Sequence, residues 1–296
     1  MFPRMRQRLI IITAVVVGAI GWMSVADWLR APDGSTGLSL TTAKVGWGWA
    51  VLAVGLAGLP ALVLGLFVSV MGNPLAGIFS ISAALTVLAG SGGSINGWVW
   101  RDEVCMPEAY GGLIIEMIIW EAGLVAMLAV VQFLRSPMRR RMAALAFDDH
   151  LGVEYDSHYA KTKSLAAGLI CAVVAGVATF LLLRSSDTGQ VVWSLILAFL
   201  LGGMSSQLIV PQCHPWAIVL SPVLVAVVGY TWVLTAFTNE ESFWEAWNLL
   251  GQSAMHIPGP ALALPVHYAS AAVVGCTLGV GWAQNMNAAR ARVVEA

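Results

Sequence analysis

The sequence predicts an all-α, polytopic integral membrane protein whose eight transmembrane helices form two four-helix halves. Three observations lead there: the composition, the spacing of the apolar runs, and the side on which the cations fall. Of 296 residues, 58% are hydrophobic and 10% charged, against about 25% charged in an ordinary soluble domain. The mean hydropathy is +0.80, so the solvent of this fold is lipid. A net charge of −1 supplies no basic field for nucleic acid and excludes that class of partner. The four cysteines (Cys105, Cys171, Cys213 and Cys276) have no C-x-x-C spacing and support neither a disulfide framework nor a zinc ribbon.

A hydrocarbon core about 30 Å thick is crossed by roughly 20 apolar residues in a helix. Eight runs meet this length: 9–26, 47–71, 75–91, 111–134, 164–183, 190–210, 216–237 and 264–284. They are spans 1 to 8 below. Span 3 is the shortest and runs into "SGGSING". Helices are required because lipid leaves backbone N–H and C=O groups without partners, and the alternation of barrel strands is absent. With both termini cytoplasmic, eleven of the 15 Lys and Arg fall on the inside; only Arg30, Lys44, Arg101 and Arg184 fall outside. This bias sets the orientation and fits a bacterial inner membrane. A rival reading takes "RMRQRLIIITAVVVGAIGWMSVAD" as a signal peptide cleaved after Ala26, which leaves seven spans.

The halves share a plan: residues 1–163 hold the first four-helix unit and a cytosolic linker, and residues 164–296 hold the second. Each opens on a basic flank, "RMRQR" or "KTK". Each joins its second and third helices by a tight turn, "GNP" or "PQCHP". Pro74, Ala76 and Ser80 recur as Pro215, Ala217 and Ser221 at one constant offset. This is the pattern of a parallel 4+4 repeat, an arrangement familiar in transporters.

Packing signals accompany the spans. Ala53, Ala57, Ala61 and Gly65 form a small-residue stripe on span 2, which points to close helix packing inside the chain or to a homodimer. Pro60 should kink that span. Most of the 13 tryptophans gather at span ends as an interfacial belt, with Trp120 the deeper exception beside Glu121. Residues 238–252, with Phe243, Trp247 and Leu250 on one face, predict an amphipathic helix flat on the outer surface. Residues 137–147 predict a basic one resting on cytosolic headgroups.

Two acids lie inside span 4. Counting back from Arg135 puts the outer boundary near Ile115, so Glu116 is expected at the outer interface, in reach of water. Glu121 lies about 9 Å deeper. An intramembrane carboxylate is costly and marks a bundle interior or a wet cavity. No Lys or Arg lies in any span, so Glu121 must be protonated, paired with a histidine or hydroxyl, or bound to a cation. His267, near the outer end of span 8, stands at the height of Glu116, and His256 lies in the loop above. The expectation is a polar cavity open to the outside. Glu116, Glu121 and His267 would line it beside Trp120, His256 would lie near its rim, and "SGGSINGWVWRDE" would form its mouth.

No G-x-S-x-G, H-E-x-x-H, P-loop or G-x-G-x-x-G occurs, and no cofactor is implied. His150, Glu154 and His158 fall at helical spacing, but about 12 Å separates the two histidines along a helix, too far for one metal. The favoured function is a small-solute or ion transporter. A non-catalytic structural or assembly subunit of a membrane complex comes second, and an intramembrane enzyme third. The expected partners are the bilayer, a small solute or cation, and a membrane protein or a second copy of the chain.

Overall fold

The computed structural model describes residues 2–32, 37–99, 107–141, 161–211, 213–237, 240–248 and 257–295. Among them the chain is helical without strands. Eight helices are long and apolar enough to cross a membrane: Met5–Met23, Trp47–Met71, Pro74–Ser91, Ala109–Met138, Thr162–Leu182, Thr188–Ile209, Pro215–Ala236 and Pro265–Asn287. Each end falls within four residues of its sequence expectation. The protein is an integral membrane protein of eight spans. One end of the bundle carries exposed Trp28, Trp47, Trp49, Trp193 and Trp232; the other carries the arginines flanking spans 1 and 4.

Span 8 is the centre. It packs along span 6 and against spans 3 and 7, and it is the most buried of the eight, at 83%. Its contact with span 6 is backbone to backbone. A Cβ on Gly275 would lie 2.5 Å from the Ile196 carbonyl oxygen, and one on Gly279 would lie 2.3 Å from that of Leu200. On the facing helix, a Cβ on Gly203 would lie 2.8 Å from the Cys276 carbonyl oxygen. Glycine at four-residue spacing permits this approach. The span 2 stripe works inside the chain in the same way. Ala57 and Ala61 pack on Gly21 and Gly18 of span 1, and Gly65 packs on Ile81 and Gly77 of span 3. Span 2 breaks at Gly58, one residue before the helix that carries Pro60.

The tryptophan-rich end is closed by protein. The loop at 37–40 is buried and packs on Gly92 and on Trp98, whose short helix Ile95–Val99 follows a turn at Gly93 with φ 83°. Within "SGGSINGWVWRDE", Gly92, Ile95, Trp98 and Val99 are therefore buried, while 100–106 lies outside the described residues. The helix Glu240–Asn248 does not lie on lipid as expected. Phe243 and Trp247 are buried, Phe243 packs edge-on against Tyr110, and the Trp247 indole N–H donates to Asn96 Oδ1 at 3.2 Å. Its aromatic face finds protein before it finds headgroups. Trp22 and Trp98, expected in the interfacial belt, are likewise core residues at 2% exposure. At the other end, Arg135 donates to the Ser69 and Gly72 carbonyls at the end of span 2, satisfying orphan acceptors of a helix terminus. Span 4 runs on as helix to Arg141; the remainder of the predicted basic helix lies outside the described residues.

The turns before spans 3 and 7 use one scheme. Asn73 Oδ1 accepts from Ala76 N at 2.8 Å, and His214 Nδ1 accepts from Trp216 N at 3.4 Å. Each cap is followed by a proline at the first helical position. Ser80 Oγ donates to the Gly77 carbonyl and Ser221 Oγ to the Ile218 carbonyl.

The Gly279–Leu200 contact yields a prediction. Gly279→Val forces a side chain into backbone that cannot yield, and should lower stability by about 3 kcal/mol or more. Gly123→Ala, at a glycine with nothing within 4 Å, should be tolerated. Thermal unfolding of both variants in detergent checks this.

Candidate functional site

The site begins with a backbone problem. Between Ile257 and Leu264 the chain leaves regular α-helix and enters the bundle as a short 3₁₀ turn, Gly259–Leu262, with Gly259 through Leu264 buried. Such backbone is tolerated at membrane depth only where protein satisfies its polar groups. Three tyrosine hydroxyls do so. Tyr268 donates to the Pro260 carbonyl at 2.7 Å, Tyr110 to that of Ala261 at 3.3 Å, and Tyr230 to that of Ala263 at 2.6 Å. The rings also pack on one another, with centroids 5.8 Å apart for Tyr110 and Tyr230, and 6.3 Å for Tyr230 and Tyr268. Glycines make room for the turn. A Cβ on Gly229 would lie 2.7 Å from that of Pro260, and one on Gly259 would lie 2.7 Å from the Leu183 carbonyl oxygen. The first turns of span 8 are irregular as well, passing through a π-helical stretch at Tyr268–Ala272. Such stretches are frequent at functional sites.

His267 sits in this irregular start, fully buried. Its Nδ1 accepts the Leu264 backbone N–H at 3.1 Å, so in the neutral ring the proton is assigned to Nε2. Nε2 lies near the Ala89 backbone of span 3 and makes no hydrogen bond among the described residues.

Glu116 is not at a wet interface. It is fully buried, because the 37–46 loop folds in over it. Oε2 accepts from Ser39 Oγ at 2.6 Å, Thr41 Oγ1 at 3.3 Å and Thr41 N at 3.4 Å, while Oε1 accepts from the Trp120 indole at 3.2 Å. Glu116 and His267, expected at one height on a shared cavity, make no hydrogen bond to each other. Nearer donors from the loop and from one helical turn away fill the carboxylate, and the histidine's Nδ1 is taken by backbone. Trp120, which adjoins Glu121 in sequence, donates to Glu116 instead and packs at 6.5 Å on Trp22.

Glu121 is the opposite case. It is 7% exposed, and neither carboxyl oxygen has a hydrogen-bond partner among the described residues. Leu124, one turn along, packs with Ile78 of span 3, Val219 of span 7 and Val273 of span 8. Cys276 of span 8 lies within electrostatic reach of the carboxyl. Beyond it, Ser221 Oγ lies 3.0 Å from Cys171 Sγ and 3.8 Å from Cys276 Sγ.

A third polar group joins this seam. Ser82 Oγ is buried and unpartnered. Its helical spacing places it on the face of span 3 shared by Ile78, Leu85 and Ala89. Ile78 meets spans 4 and 8, and Ala89 lies by His267. Where span 3 meets spans 4 and 8, His267 Nε2, Ser82 Oγ and the Glu121 carboxyl thus lack hydrogen-bond partners among the described residues. Ser82, Ser39, Thr41 and the three tyrosines were not singled out from sequence. The one available signal was that three of the chain's five tyrosines fall inside or at the edge of spans.

His256 lies outside the described residues, as do His150, Glu154 and His158. Among the described residues no three of His, Cys, Asp and Glu converge as metal ligands. No family model, curated protein or solved structure matches the chain.

The two glutamates should respond differently to the same change. Glu116→Gln turns an NH₂ toward groups that donate, and should cost about 1–3 kcal/mol. Glu121→Gln breaks no bond and should change stability by less than about 1 kcal/mol. Parallel thermal unfolding at one pH reads both.

Proposed function

We propose that the protein is a small-solute or ion transporter whose mobile charge, a proton or a small cation, is held at Glu121. The carrying observation is the Glu121 carboxyl, buried in an eight-span bundle with both oxygens unpartnered among the described residues. A carboxylate in that position is too costly to persist bare. It is therefore neutral or occupied by a cation, and exchange between those states is what a coupling site needs. Irregular backbone beside it supports the reading. Span 7 breaks at Leu220 and span 8 starts with 3₁₀ and π-helical turns, the kind of interruption found at transporter binding sites. A parallel 4+4 repeat fits as well. Spans 3 and 7 start with equivalent caps, and span 3 packs on span 8 as span 4 packs on span 7.

Glu116, His267 and Trp120 take different parts in this reading. Glu116, with Trp120 as a donor, anchors the loop that closes the tryptophan-rich end. His267 and Ser82 mark the route between that end and Glu121. Both carboxyls are shut off from solvent, so the conformation is an occluded one, and opening outward requires the 37–46 loop to part from Glu116. With the orientation set by the cations, that end faces away from the cytoplasm of a bacterial inner membrane.

The same closure favours a second reading, a structural subunit of a membrane complex, in which Glu121 is a neutral packing group. Purified protein in proteoliposomes separates the two. Imposed proton, Na⁺ and K⁺ gradients are tested with a fluorescent pH probe and with isotope uptake, for wild type beside Glu121→Gln. Transport predicts a cation-specific flux at least tenfold above empty vesicles, abolished in the variant. No flux in wild type for any cation, or a flux unchanged in Glu121→Gln, would overturn the proposal.

A further inference from the structure

Outside this seam, the lipid-facing surface carries a groove of about 570 Å³ between spans 5 and 7. Ala172, Gly176 and Gly229 provide small side chains along it. Val173, Val177, Phe180, Val228 and Trp232 stand as its walls, all exposed. Pro258 and Pro260, from the entering 3₁₀ segment, also line it. All thirteen lining residues are apolar or glycine. A Cβ on Gly176 would meet only Val225, at 3.7 Å and beyond, so the space before it is open.

The dimensions identify the occupant. From Leu169 to Phe180 the groove runs about 16 Å along span 5, close to one leaflet of a hydrocarbon core about 30 Å thick. Its volume holds roughly 20 methylene groups at about 30 Å³ each, near the liquid volume of a water molecule. At the Phe180 end stands a cation. Arg184 Cζ lies 6.0 Å from the Phe180 ring centroid. Its Nε donates to the Leu181 carbonyl at 3.2 Å, and the guanidinium makes no ion pair among the described residues.

We propose that this groove binds one phospholipid of the leaflet at the tryptophan-rich end, an acyl chain lying between spans 5 and 7 and an anionic headgroup on Arg184. The guanidinium offers parallel donors to a phosphate, and the apolar groove accepts the chain without stranding a polar group. The bound chain rests on Pro258 and Pro260, so it braces the segment that the three tyrosines hold.

Native mass spectrometry of detergent-purified protein, titrated with phosphatidylglycerol or phosphatidylcholine, tests this. Wild type should retain one phosphatidylglycerol at activation energies that strip other lipids, with at least fivefold preference over phosphatidylcholine. Arg184→Gln, a surface change that leaves the core intact, should lose that preference. Gly176→Phe, which fills the groove, should lose the retained adduct of either lipid. A wild type with no retained lipid, a preference unchanged in Arg184→Gln, or an adduct undiminished in a folded Gly176→Phe would overturn the proposal. So would a wild-type dimer that Gly176→Phe converts to monomer, which would assign the groove to a second copy of the chain.

Discussion

Lipid cannot hydrogen-bond to a peptide group, and the candidate site of this protein is arranged around that constraint. Seven of the eight spans meet it over most of their length by helix alone. The eighth begins with backbone outside an α-helix, and there the carbonyls of Pro260, Ala261 and Ala263 are met by Tyr268, Tyr110 and Tyr230. These hydroxyls come from spans 4, 7 and 8. The entering segment therefore ties together both halves of the chain and fixes the height of His267. Without those three donors, each orphaned carbonyl would cost several kcal/mol in hydrocarbon, and the start of span 8 would have to rewind.

The same rule separates the two acids of span 4. Glu116 lies where a loop can reach it, and the loop brings two hydroxyls and a backbone N–H. Its carboxyl serves as the nail for the closed end of the bundle. Glu121 lies five residues on, on a different face, where spans 3, 7 and 8 present apolar side chains and thiols. No described residue hydrogen-bonds to it. Two chemically identical groups thus stand in opposed settings, one filled by hydrogen-bond donors and the other without a partner among the described residues.

How much of this was legible in the sequence follows from the range of the interactions. Span positions depend on local hydropathy and were readable within a turn. The place of Glu121 along span 4 came from counting residues, and its side chain is buried. The wet setting assigned to Glu116 failed because Ser39 and Thr41 lie 77 and 75 residues away, and no periodicity reports a loop folding inward. That Glu116 and His267 bond to other groups has a related reason: equal height on two helices says nothing about which way each side chain turns. The helix at 240–248 read as a lipid-surface helix because its pattern marks an apolar face without naming what covers it. The Gly275–Gly279 contact has the same small-residue spacing as the span 2 stripe, but glycine is common throughout these spans and the spacing alone does not mark it.

The central claim is that Glu121, and not Glu116, is the exchangeable charge of the bundle. Infrared difference spectroscopy of the carboxyl C=O stretch tests it most directly, with pH and cation steps applied to protein in bilayers. The account predicts a reversible carboxyl band from a site shielded from bulk water, present in wild type and absent in Glu121→Gln. A band that persists unchanged in Glu121→Gln, or no intramembrane carboxyl that responds at all, would contradict it.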